Sequence, residues 1–509
     1  MSPERKVEKM RYLPDGVQMK AADTYTIKEL GVPSLVLMER AALKVVEAMH
    51  ERKIDTSRTL VVCGSGNNGG DGFAVARLLE EEGMHAEILF AGKESSLSGE
   101  CALQKKIAER MGIRVFTEIP QEEYTVIIDA VFGVGLSREI TGRYCDIIRW
   151  MNSRDCCKVA VDIPSGVCAR TGQILGTAFR ADLTVSMACV KAGCELFPGK
   201  TYAGETVAAP IGISTDFFRG DPGVCFTYDR KDIPALLPPR KADSHKGSYG
   251  RVLMVTGSRG MAGACYLSAR AAYAVGAGLV QVYTAEENRA VIQQLLPEAI
   301  VSCYNGYDPE QLSGLLKWAD TVCIGCGLGM GDVSEKILLH TLREADVPCI
   351  VDADGLNLLS RHMDVLRGSR IPLILTPHMK EMSRLIGRDI AELAEDRLET
   401  AREFTAEYPA VCVLKDSRTA VAQKGKPPFL NLAGNSAMAK AGSGDVLAGV
   451  ITGLSAQGMD AFGSACLGVF LHACGGDEAR GAKGAYSVLA GDLIAGIENV
   501  LRKQDRGEE

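Results

Sequence analysis

The sequence predicts an α/β protein of two domains, each built on a mainly parallel sheet. With 509 residues, the chain is too long for one hydrophobic core of ordinary size. Short continuous apolar runs alternate with helical patterns, as in parallel sheets that are covered on both faces. Between residues 218 and 247 the chain becomes rich in Pro, Gly and charge. We therefore expect a domain over residues 1–220, a linker over 221–245 and a second domain over 246–509.

Composition and charge narrow the class of protein. The chain is 46% hydrophobic and 24% charged, as in soluble globular proteins. A formal net charge of −7 argues against nucleic acid or a membrane surface as the main partner. The first residues lack the apolar stretch of a signal peptide, and no run reaches about 18 apolar residues. We therefore expect a cytoplasmic protein with neither a nucleic-acid nor a membrane partner.

Seventeen cysteines are spread irregularly along the chain, which favours reduced and mostly buried thiols over a disulfide framework. Cys323 and Cys326 form a lone CxxC pair, but no second pair or nearby histidine completes a zinc set. We interpret both as small core residues at the end of a strand.

Each predicted domain has its own series of elements. Apolar residues at helical spacing predict a helix over about residues 34–52, followed by a strand, a glycine cluster and a second helix. Strands are predicted in the first domain at residues 60–63, 86–90, 126–130, 159–163 and 183–187. Strands are predicted in the second domain at residues 252–256, 280–283, 321–324, 349–352, 373–375 and 412–414, and helices at 446–454, 465–473 and 489–501.

The glycine cluster at residues 64–72 lies between a predicted strand and a predicted helix. Its unencumbered amides and the helix N-terminus can meet a phosphate there. A tight strand-to-helix connection is the alternative reading of such a turn. The cluster lacks the Lys-Ser/Thr ending of a P-loop, and it matches the dinucleotide GxGxxG pattern only loosely.

Two carboxylates follow later strands of the same domain. Asp129 lies at the end of one strand and Asp162 at the end of the next. Ligands of open α/β sheets bind outside such carboxyl ends. Either aspartate alone could be a capping or turn residue. Three polar strand ends at one edge favour a binding site.

These motifs resemble those of NAD(P)H-hydrate epimerases over residues 18–215. The resemblance rests on NNGGDG at 67–72, IIDAVFGVGL at 127–136, VDIPSG at 161–166, LMERA at 37–41, Ala22 and Asp23. It implies a Rossmann-like three-layer domain in which Asp162 contacts the substrate and is the candidate acid or base at the C6 hemiaminal. It also implies a potassium ion bound by Asn68, Asp129 and Ser165. The residues implied to hold the hydrated cofactor are Asn67, Asn68, Gly69, Gly70, Asp71, Gly133, Val134, Gly135, Leu136, Ser137, Arg138 and Glu139.

The most specific motif of the second domain is GSGD at 442–445. Its glycines open a helix at Asp445, so that amides and the positive helix end can stabilise a transferring phosphoryl group. The carboxylate of Asp445 can accept a hydroxyl proton. A glycine-rich helix start with a capping aspartate is the alternative, but it does not account for the accompanying motifs.

Those motifs are DSHKGSYGRVL at 243–253, GCGLG at 325–329, DADGLN at 352–357 and TPHMKE at 376–381. Together with GSGD they resemble ADP-dependent NAD(P)H-hydrate dehydratases, of ribokinase-like fold, over residues 240–500. The resemblance implies that Ala264, Gly327, His378 and Asp445 contact the hydrate. It implies nucleotide contacts from Lys415, Asp416, Ser417, Arg418, Thr419 and Gly444. Asp416 stands where the family has glycine, and Cys326 where it commonly has proline.

The two resemblances together imply a repair enzyme for hydrated NADH and NADPH. The first domain would interconvert the R and S hydrates at C6, and the second would dehydrate the S hydrate while ADP becomes AMP and phosphate. ADP or ATP with Mg²⁺ is the implied nucleotide, and a homo-oligomer is expected. Two alternatives remain at this point: a small-molecule kinase with an accessory domain, because GSGD also serves vitamin and sugar kinases, and a regulatory protein that only senses nucleotides.

Overall fold

The computed structural model describes residues 10–506, which form two compact units. One unit spans Arg11–Phe226, and the other begins at Thr227. The division lies inside the predicted linker, which carries a strand at Cys225–Thr227 and a helical turn at Ile233–Leu236. Most of the seventeen cysteines are buried, as the sequence predicts. Within residues 10–506, no helix is both long and apolar enough to cross a membrane.

The N-terminal unit is a parallel sheet between helices. Its strands are β1 (Arg11–Leu13), β2 (Thr59–Cys63), β3 (Ala86–Phe90), β4 (Val115–Phe116), β5 (Val126–Ala130), β6 (Cys157–Val161), β7 (Leu183–Met187), β8 (Glu205–Ala209) and β9 (Cys225–Thr227). Its helices are α1 (Gly16–Lys28), α2 (Ser34–Glu51), α3 (Asn67–Glu81), α4 (Gly99–Arg110), α5 (Arg143–Ser153), α6 (Ala192–Glu195) and α7 (Gly199–Ala203). The main sheet has the order β4-β3-β2-β5-β6-β7-β8.

Alternate residues of β2 face two separate cores. Leu60 and Val62 pack in a core with residues of α5, whereas Val61 and Cys63 pack in a core with residues of α2 and α3. A strand that is buried on both faces reads as a continuous apolar run, which is why the sequence predicts these strands well. The predicted three-layer α/β domain is confirmed.

The strand order of this sheet creates a binding crevice. From β2 the chain proceeds outward through β3 to β4 and then continues with β5 on the other side of β2. Such a reversal leaves a crevice at the carboxyl ends of the two central strands. Gly64 follows β2 there, and a Cβ atom at this position would lie 2.1 Å from the carbonyl oxygen of Val131. Only glycine allows the two chain segments to approach so closely.

The C-terminal unit is a second, larger α/β assembly. Its strands are β10 (Arg251–Val255), β11 (Leu279–Ala285), β12 (Ile300–Tyr304), β13 (Thr321–Ile324), β14 (Cys349–Val351), β15 (Leu373–Leu375), β16 (Ala410–Leu414), β17 (Ala420–Ala422) and β18 (Phe429–Leu430). Its helices are α8 (Ile233–Leu236), α9 (Ala262–Ala274), α10 (Arg289–Leu295), α11 (Pro309–Trp318), α12 (Asp332–Glu344), α13 (Asp354–Leu359), α14 (Asp364–Arg367), α15 (Met379–Ile386), α16 (Ile390–Glu395), α17 (Arg397–Glu407), α18 (Ser443–Ala456), α19 (Ala461–Lys483) and α20 (Ala490–Arg506).

In this sheet the strands follow the order β18-β17-β16-β15-β14-β13-β10-β11-β12. Pairing is parallel from β12 to β16 and antiparallel from β16 through β17 to β18. The parallel strands β13, β14, β15 and β16 are neighbours and end at the same edge. Side chains that follow these four strands are therefore brought together, although they are far apart in the sequence.

Candidate active sites

The N-terminal unit holds a cavity of about 770 Å³ at the carboxyl ends of its central strands. The predicted site residues that line it are Asn67, Asn68, Asp71, Gly133, Val134, Gly135, Leu136, Ser137, Arg138 and Asp162. Gly69 and Gly70, also in α3, are not among the lining residues. A Cβ atom at Gly69 would meet the backbone of Gly64, and one at Gly70 would meet the side chain of Met38. These two glycines allow close packing beneath the cavity. Glu139 is not among the lining residues.

The beginning of α3 faces this cavity. The helix starts at Asn67, and its N-cap residue, Gly66, provides no side-chain hydrogen bond. The first N–H groups of a helix have no partner within the helix. An uncapped helix start in a cavity wall can therefore bind an anionic group such as a phosphate.

Asp129 and Ser165 form one hydrogen-bonded unit. The Ser165 hydroxyl donates to Oδ1 of Asp129, and the Ser165 backbone N–H donates to Oδ2, each at 2.7 Å. Asp129 is fully buried, and burial raises the pKa of its carboxyl to about 6, against the lowering effect of the Ser165 hydrogen bonds. Among the residues that the structure describes, the carboxylate has no cationic partner, so this unit can accept a positive ion.

Asn68 is the third residue of the predicted potassium site. Its side-chain Nδ2 atom is buried and finds no hydrogen-bond partner in the described part of the chain. The amide packs beside Gly133, since a Cβ atom at Gly133 would lie 3.4 Å from Oδ1 of Asn68. The assignment of nitrogen and oxygen in an amide depends on its hydrogen bonds. An unpartnered buried amide is therefore able to present its oxygen to a cation.

Asp162 occupies a strained position directly after β6. Its backbone φ is +70°, in the left-handed region that a non-glycine residue seldom adopts. The prediction extended this strand to residue 163, but the strand ends at Val161 because the chain turns here. Oδ1 of Asp162 accepts hydrogen bonds from the backbone N–H of Met187, at 3.0 Å, and from Nζ of Lys191. Strain of this kind is retained where surrounding contacts enforce it, as at functional sites.

Lys191 is a site residue that the sequence analysis missed. It lines the same cavity, and its side chain is only 1% exposed. The one available signal was a lysine inside the otherwise uncharged run SMACVKAGC at 186–194. A buried charge of this kind requires a partner, and only the fold reveals that this partner is Asp162.

Further carboxyl groups surround Asp162. Burial raises the pKa of Asp71 well above its usual range, and the negative charges of Asp162 and Asp23 add to the rise. The pKa of Asp23 is also raised, first by burial and then by the charges of Asp162 and Glu100. The cavity thus contains acidic groups with different proton affinities, which suits proton transfer.

In the C-terminal unit, Asp445 lies in the first turn of α18, after Gly442 in the left-handed conformation. Burial raises the pKa of Asp445 to about 6, and the charge of Asp352 adds to this effect. The carboxylate of Asp445, the carboxylate of Asp352 and the thiol of Cys326 have one ligand atom each within 4.8 Å of the others. The sequence interpretation of Cys326 as a core residue agrees with its complete burial, but its thiol also borders this carboxylate pair.

Lys415, a predicted nucleotide-binding residue, contacts Asp352 of this carboxylate pair. Its Nζ atom donates to Oδ1 of Asp352 at 2.6 Å and lies 3.9 Å from Glu381. Burial lowers the pKa of Lys415, but the charges of Asp352 and Glu381 outweigh burial and the pKa is raised. Gly444 lies beside this ion pair, because a Cβ atom there would be 3.5 Å from Nζ. The fold therefore brings Lys415, Gly444 and Asp445 close together.

The other predicted nucleotide-binding residues form the turn between β16 and β17. Asp416 has no positive φ, so the aspartate adopts an ordinary backbone conformation where the family has glycine. Its carboxylate accepts the N–H of Ser417 at 2.7 Å and pairs with Arg397. Arg418 donates to the carbonyl oxygen of Leu432 at 2.6 Å, and Thr419 donates to that of Asp416 at 3.3 Å.

His378 has a structural role that the sequence did not indicate. It is the N-cap of α15, where its Nδ1 atom accepts the backbone N–H groups of Lys380 and Glu381, each at 3.1 Å. The carboxylate of Glu381 accepts the His378 N–H at 2.8 Å in return. Burial raises the pKa of Glu381 to about 7, partly opposed by Lys415. The second nitrogen, Nε2, lies 3.3 Å from a carboxylate oxygen of Glu381. About half of the His378 side chain is exposed.

Gly327 and Ala264 are adjacent, as the predicted hydrate site requires. Gly327 has a φ of +58°, and a Cβ atom there would lie 2.9 Å from the Cβ atoms of both Ala264 and Met261. We predict that Gly327→Ala lowers kcat/KM for dehydration at least about tenfold, because strain and overlap of this size cost roughly 1–3 kcal/mol.

Steady-state dehydration assays test this prediction, with Gly331→Ala as the control. A Cβ atom at Gly331 meets nothing within 4 Å, so this variant should match the wild type. Equal kcat/KM values for Gly327→Ala and the wild type would show that this turn does not border the reacting site.

Comparisons with known proteins agree with this two-unit arrangement. A family model described as YjeF-related protein N-terminus matches residues 34–193, and one described as NAD(P)H-hydrate dehydratase matches residues 252–499. The bifunctional NAD(P)H-hydrate repair enzyme Nnr of Moorella thermoacetica is 35% identical, over 98% of this chain and 98% of its own length. The corresponding enzyme of Coxiella burnetii is 37% identical, over 92% of this chain and 94% of its own length.

A solved structure of a ribokinase-like superfamily protein from Enterococcus faecalis is 29% identical. The similarity has a TM-score of 0.51 and covers 56% of this chain and 97% of that protein. Fold and sites thus define a two-domain α/β enzyme whose C-terminal unit is ribokinase-like. The chain belongs to the family of bifunctional NAD(P)H-hydrate repair enzymes. Matches that span both units favour this family over a vitamin or sugar kinase with an accessory domain and over a nucleotide sensor.

Proposed function

We propose that the N-terminal unit interconverts the R and S hydrates of NADH and NADPH at C6. The C-terminal unit then dehydrates the S hydrate to the reduced cofactor, while ADP is converted to AMP and phosphate. The observation that supports this division most directly is a separate carboxylate site in each unit of a chain related to bifunctional repair enzymes over its full length.

For the epimerisation, we assign proton transfer to Asp162. The hydrate carries a hydroxyl group on C6 next to the ring nitrogen, and inversion requires that either water or the ring C–N bond leaves and re-adds. Each route moves a proton to or from the hydroxyl oxygen. The carboxylate of Asp162 faces the cavity in which the residues at the start of α3 and those at 133–138 would hold the hydrate.

Asn68 in the cavity wall, together with Asp129 and Ser165, also fits a potassium ion. Asp129 offers a buried carboxylate, Ser165 a hydroxyl oxygen and Asn68 an amide that has no hydrogen-bond partner within residues 10–506. These are the hard oxygen donors that such a cation prefers. When bound, the ion would supply a fixed positive charge near the substrate.

We predict that Ser165→Ala raises the K⁺ concentration needed for half-maximal epimerisation at least about tenfold, because one oxygen ligand is lost. The Ser165 backbone N–H still reaches Asp129, so the loop should be retained. The measurement is the epimerisation rate against K⁺ at constant ionic strength. Ser153→Ala, which removes an exposed hydroxyl from α5, is the control. An unchanged K⁺ dependence in Ser165→Ala contradicts the assigned ligand set.

For the dehydration, we assign Asp445 as the base that accepts the C6 hydroxyl proton during phosphoryl transfer. Hydroxide leaves poorly, so the C6 hydroxyl is first phosphorylated, which makes it a good leaving group. The ring nitrogen then expels phosphate, and C5 loses a proton. The N-terminal amides of α18 would stabilise the negative charge on the phosphoryl group. Lys415, Asp416, Ser417, Arg418, Thr419 and Gly444 would contact the nucleotide, and Ala264, Gly327 and His378 the hydrate.

The C-terminal site fits a Mg²⁺ ion that arrives with ADP or ATP. The oxygens of Asp352 and Asp445 suit Mg²⁺. Burial raises the pKa of Asp445, and a cation near the pair would relieve the repulsion from Asp352 that adds to this rise. When bound, Mg²⁺ would neutralise charge on the phosphates.

We further propose a cytoplasmic homo-oligomer. The negative net charge favours a protein without a nucleic-acid partner.

One assay tests the proposed division of labour. Purified protein is incubated with a mixture of the R and S hydrates of NADH, and both epimers are separated over time with and without ADP. We expect enzyme-dependent equilibration without ADP and complete conversion to NADH with ADP. Phosphorylation of a vitamin or sugar instead, with no NADH formed, would overturn the dehydratase assignment.

A further inference from the structure

Lys191 is held in the wall of the epimerase cavity by three acceptors. Its Nζ atom donates to Oδ1 of Asp162, to the carbonyl oxygen of Met187 at 3.0 Å and to Oγ of Ser186 at 3.3 Å. An ammonium group carries three protons, so each proton has a partner. Lys191 therefore has no proton left for the substrate, and its charge acts through Asp162.

The same contacts orient Asp162. Met187 and Lys191 both donate to Oδ1, and the backbone is fixed by bonds from the Asp162 N–H to Val185, at 2.8 Å, and from the Ser186 hydroxyl to the Asp162 carbonyl, at 2.7 Å. Oδ2 accepts no hydrogen bond from the residues at 10–506. One oxygen is thus anchored, and the other is available to a ligand in the cavity.

Acidic and basic groups surround Asp162, since Lys20 from α1 and Arg138 also line the cavity. Asp23 from α1, Asp71 from α3 and Glu100 from α4 line the same cavity, and the thiol of Cys194 lies behind it on α6. Nearby carboxylates disfavour one another's charged forms, whereas an adjacent ammonium favours the charged form. Lys191 is the cation that pairs with Asp162 in this group.

We propose that Lys191 is a positioning residue for the epimerisation, which anchors one oxygen of Asp162 and directs the other toward the C6 hydroxyl of the hydrate. This inference rests on the proposed epimerase function. In the route that opens the ring, Asp162 accepts the hydroxyl proton as the C6–N bond breaks, the C6 carbonyl forms and the electron pair of that bond moves onto the ring nitrogen. When the nitrogen adds back to the other face of the carbonyl, the C–N bond re-forms and Asp162 returns the proton to the oxygen, so no proton is gained or lost overall. Lys191 keeps its three protons throughout.

The test compares Lys191→Met, which retains the length of the side chain without its charge, with the wild-type full-length protein. We expect kcat for epimerisation to fall about 100-fold while KM changes less than about threefold, since general base catalysis typically contributes 100-fold or more. Lys191→Ala should be partly rescued by ethylammonium.

Two controls separate this role from a structural one. Lys200→Met removes a nearby lysine that pairs with Glu195 outside the cavity lining and should leave epimerisation unchanged. The ADP-dependent dehydration catalysed by the same chain should also be unchanged in Lys191→Met. No epimerisation by the wild type would contradict the proposed function itself. With an active wild type, an unaltered kcat, a loss confined to KM, or an unfolded N-terminal unit in both Lys191 variants would overturn the positioning role.

Discussion

Replacing Asp445 with asparagine is expected to lower the rate of dehydration about 1000-fold while the nucleotide still binds. The amide keeps the shape of the side chain but cannot accept the hydroxyl proton, and loss of a general base typically costs 100- to 10,000-fold. The predicted nucleotide contacts, including Lys415 and Gly444, remain in place. Dehydration of the S hydrate with ADP gives the rate, and calorimetric titration with ADP gives the affinity.

The chain provides two controls for Asp445→Asn. The epimerase activity of the same variant should equal that of the wild type, because its site lies in the other unit. Asp492→Asn also removes a first-turn carboxylate from a helix, α20, and should leave dehydration unchanged. Turnover close to that of the wild type in Asp445→Asn would refute the assigned base.

The second large effect is expected for Asp162→Asn, which should reduce epimerisation to the uncatalysed rate. Asparagine tolerates the left-handed backbone at this position, so the turn after β6 should be retained. Its uncharged amide can neither accept the proton nor balance the charge of Lys191. The rate at which a pure hydrate epimer converts to the mixture measures the effect.

ADP-dependent dehydration of the S hydrate should be unchanged in Asp162→Asn. A matched variant, Asp182→Asn, alters a carboxylate that accepts the N–H of Lys158 outside the cavity lining, and wild-type epimerisation is expected from it. Epimerisation at the wild-type rate in Asp162→Asn would transfer the acid or base role to another group of the cavity.

The fold could be predicted from the sequence where a strand is buried on both faces. The central strands β2, β5 and β13 read as continuous apolar runs and were predicted within one residue of their observed ends. The strands β8 and β12 were missed, because each is partly exposed and its residues alternate or mix in polarity. The short strands β17 and β18 have only three and two residues, too few for a periodic pattern.

The candidate sites could be predicted where chemistry is concentrated in a short motif. Asp129 lies at the end of a strand, Asp162 follows one and Asp445 opens a helix, each near glycines, so the local sequence points to them. Lys191 has no such setting, and Cys326 is interpreted as a small core residue although it lies in the glycine-rich run at 325–329. They were not assigned to a site because their role depends on which distant side chain lies next to them.

The two α/β units, the family of this protein and the motifs that carry its carboxylates can all be predicted from the linear order of residues. These properties depend on hydrophobic periodicity and on contiguous residues. The pairing of Lys191 with Asp162, the capping of α15 by Nδ1 of His378 and the ion pair of Lys415 with Asp352 beside Asp445 become visible in the folded chain. The state of a buried charge is set by its spatial neighbours, and the sheet topology brings these together from separate strand ends.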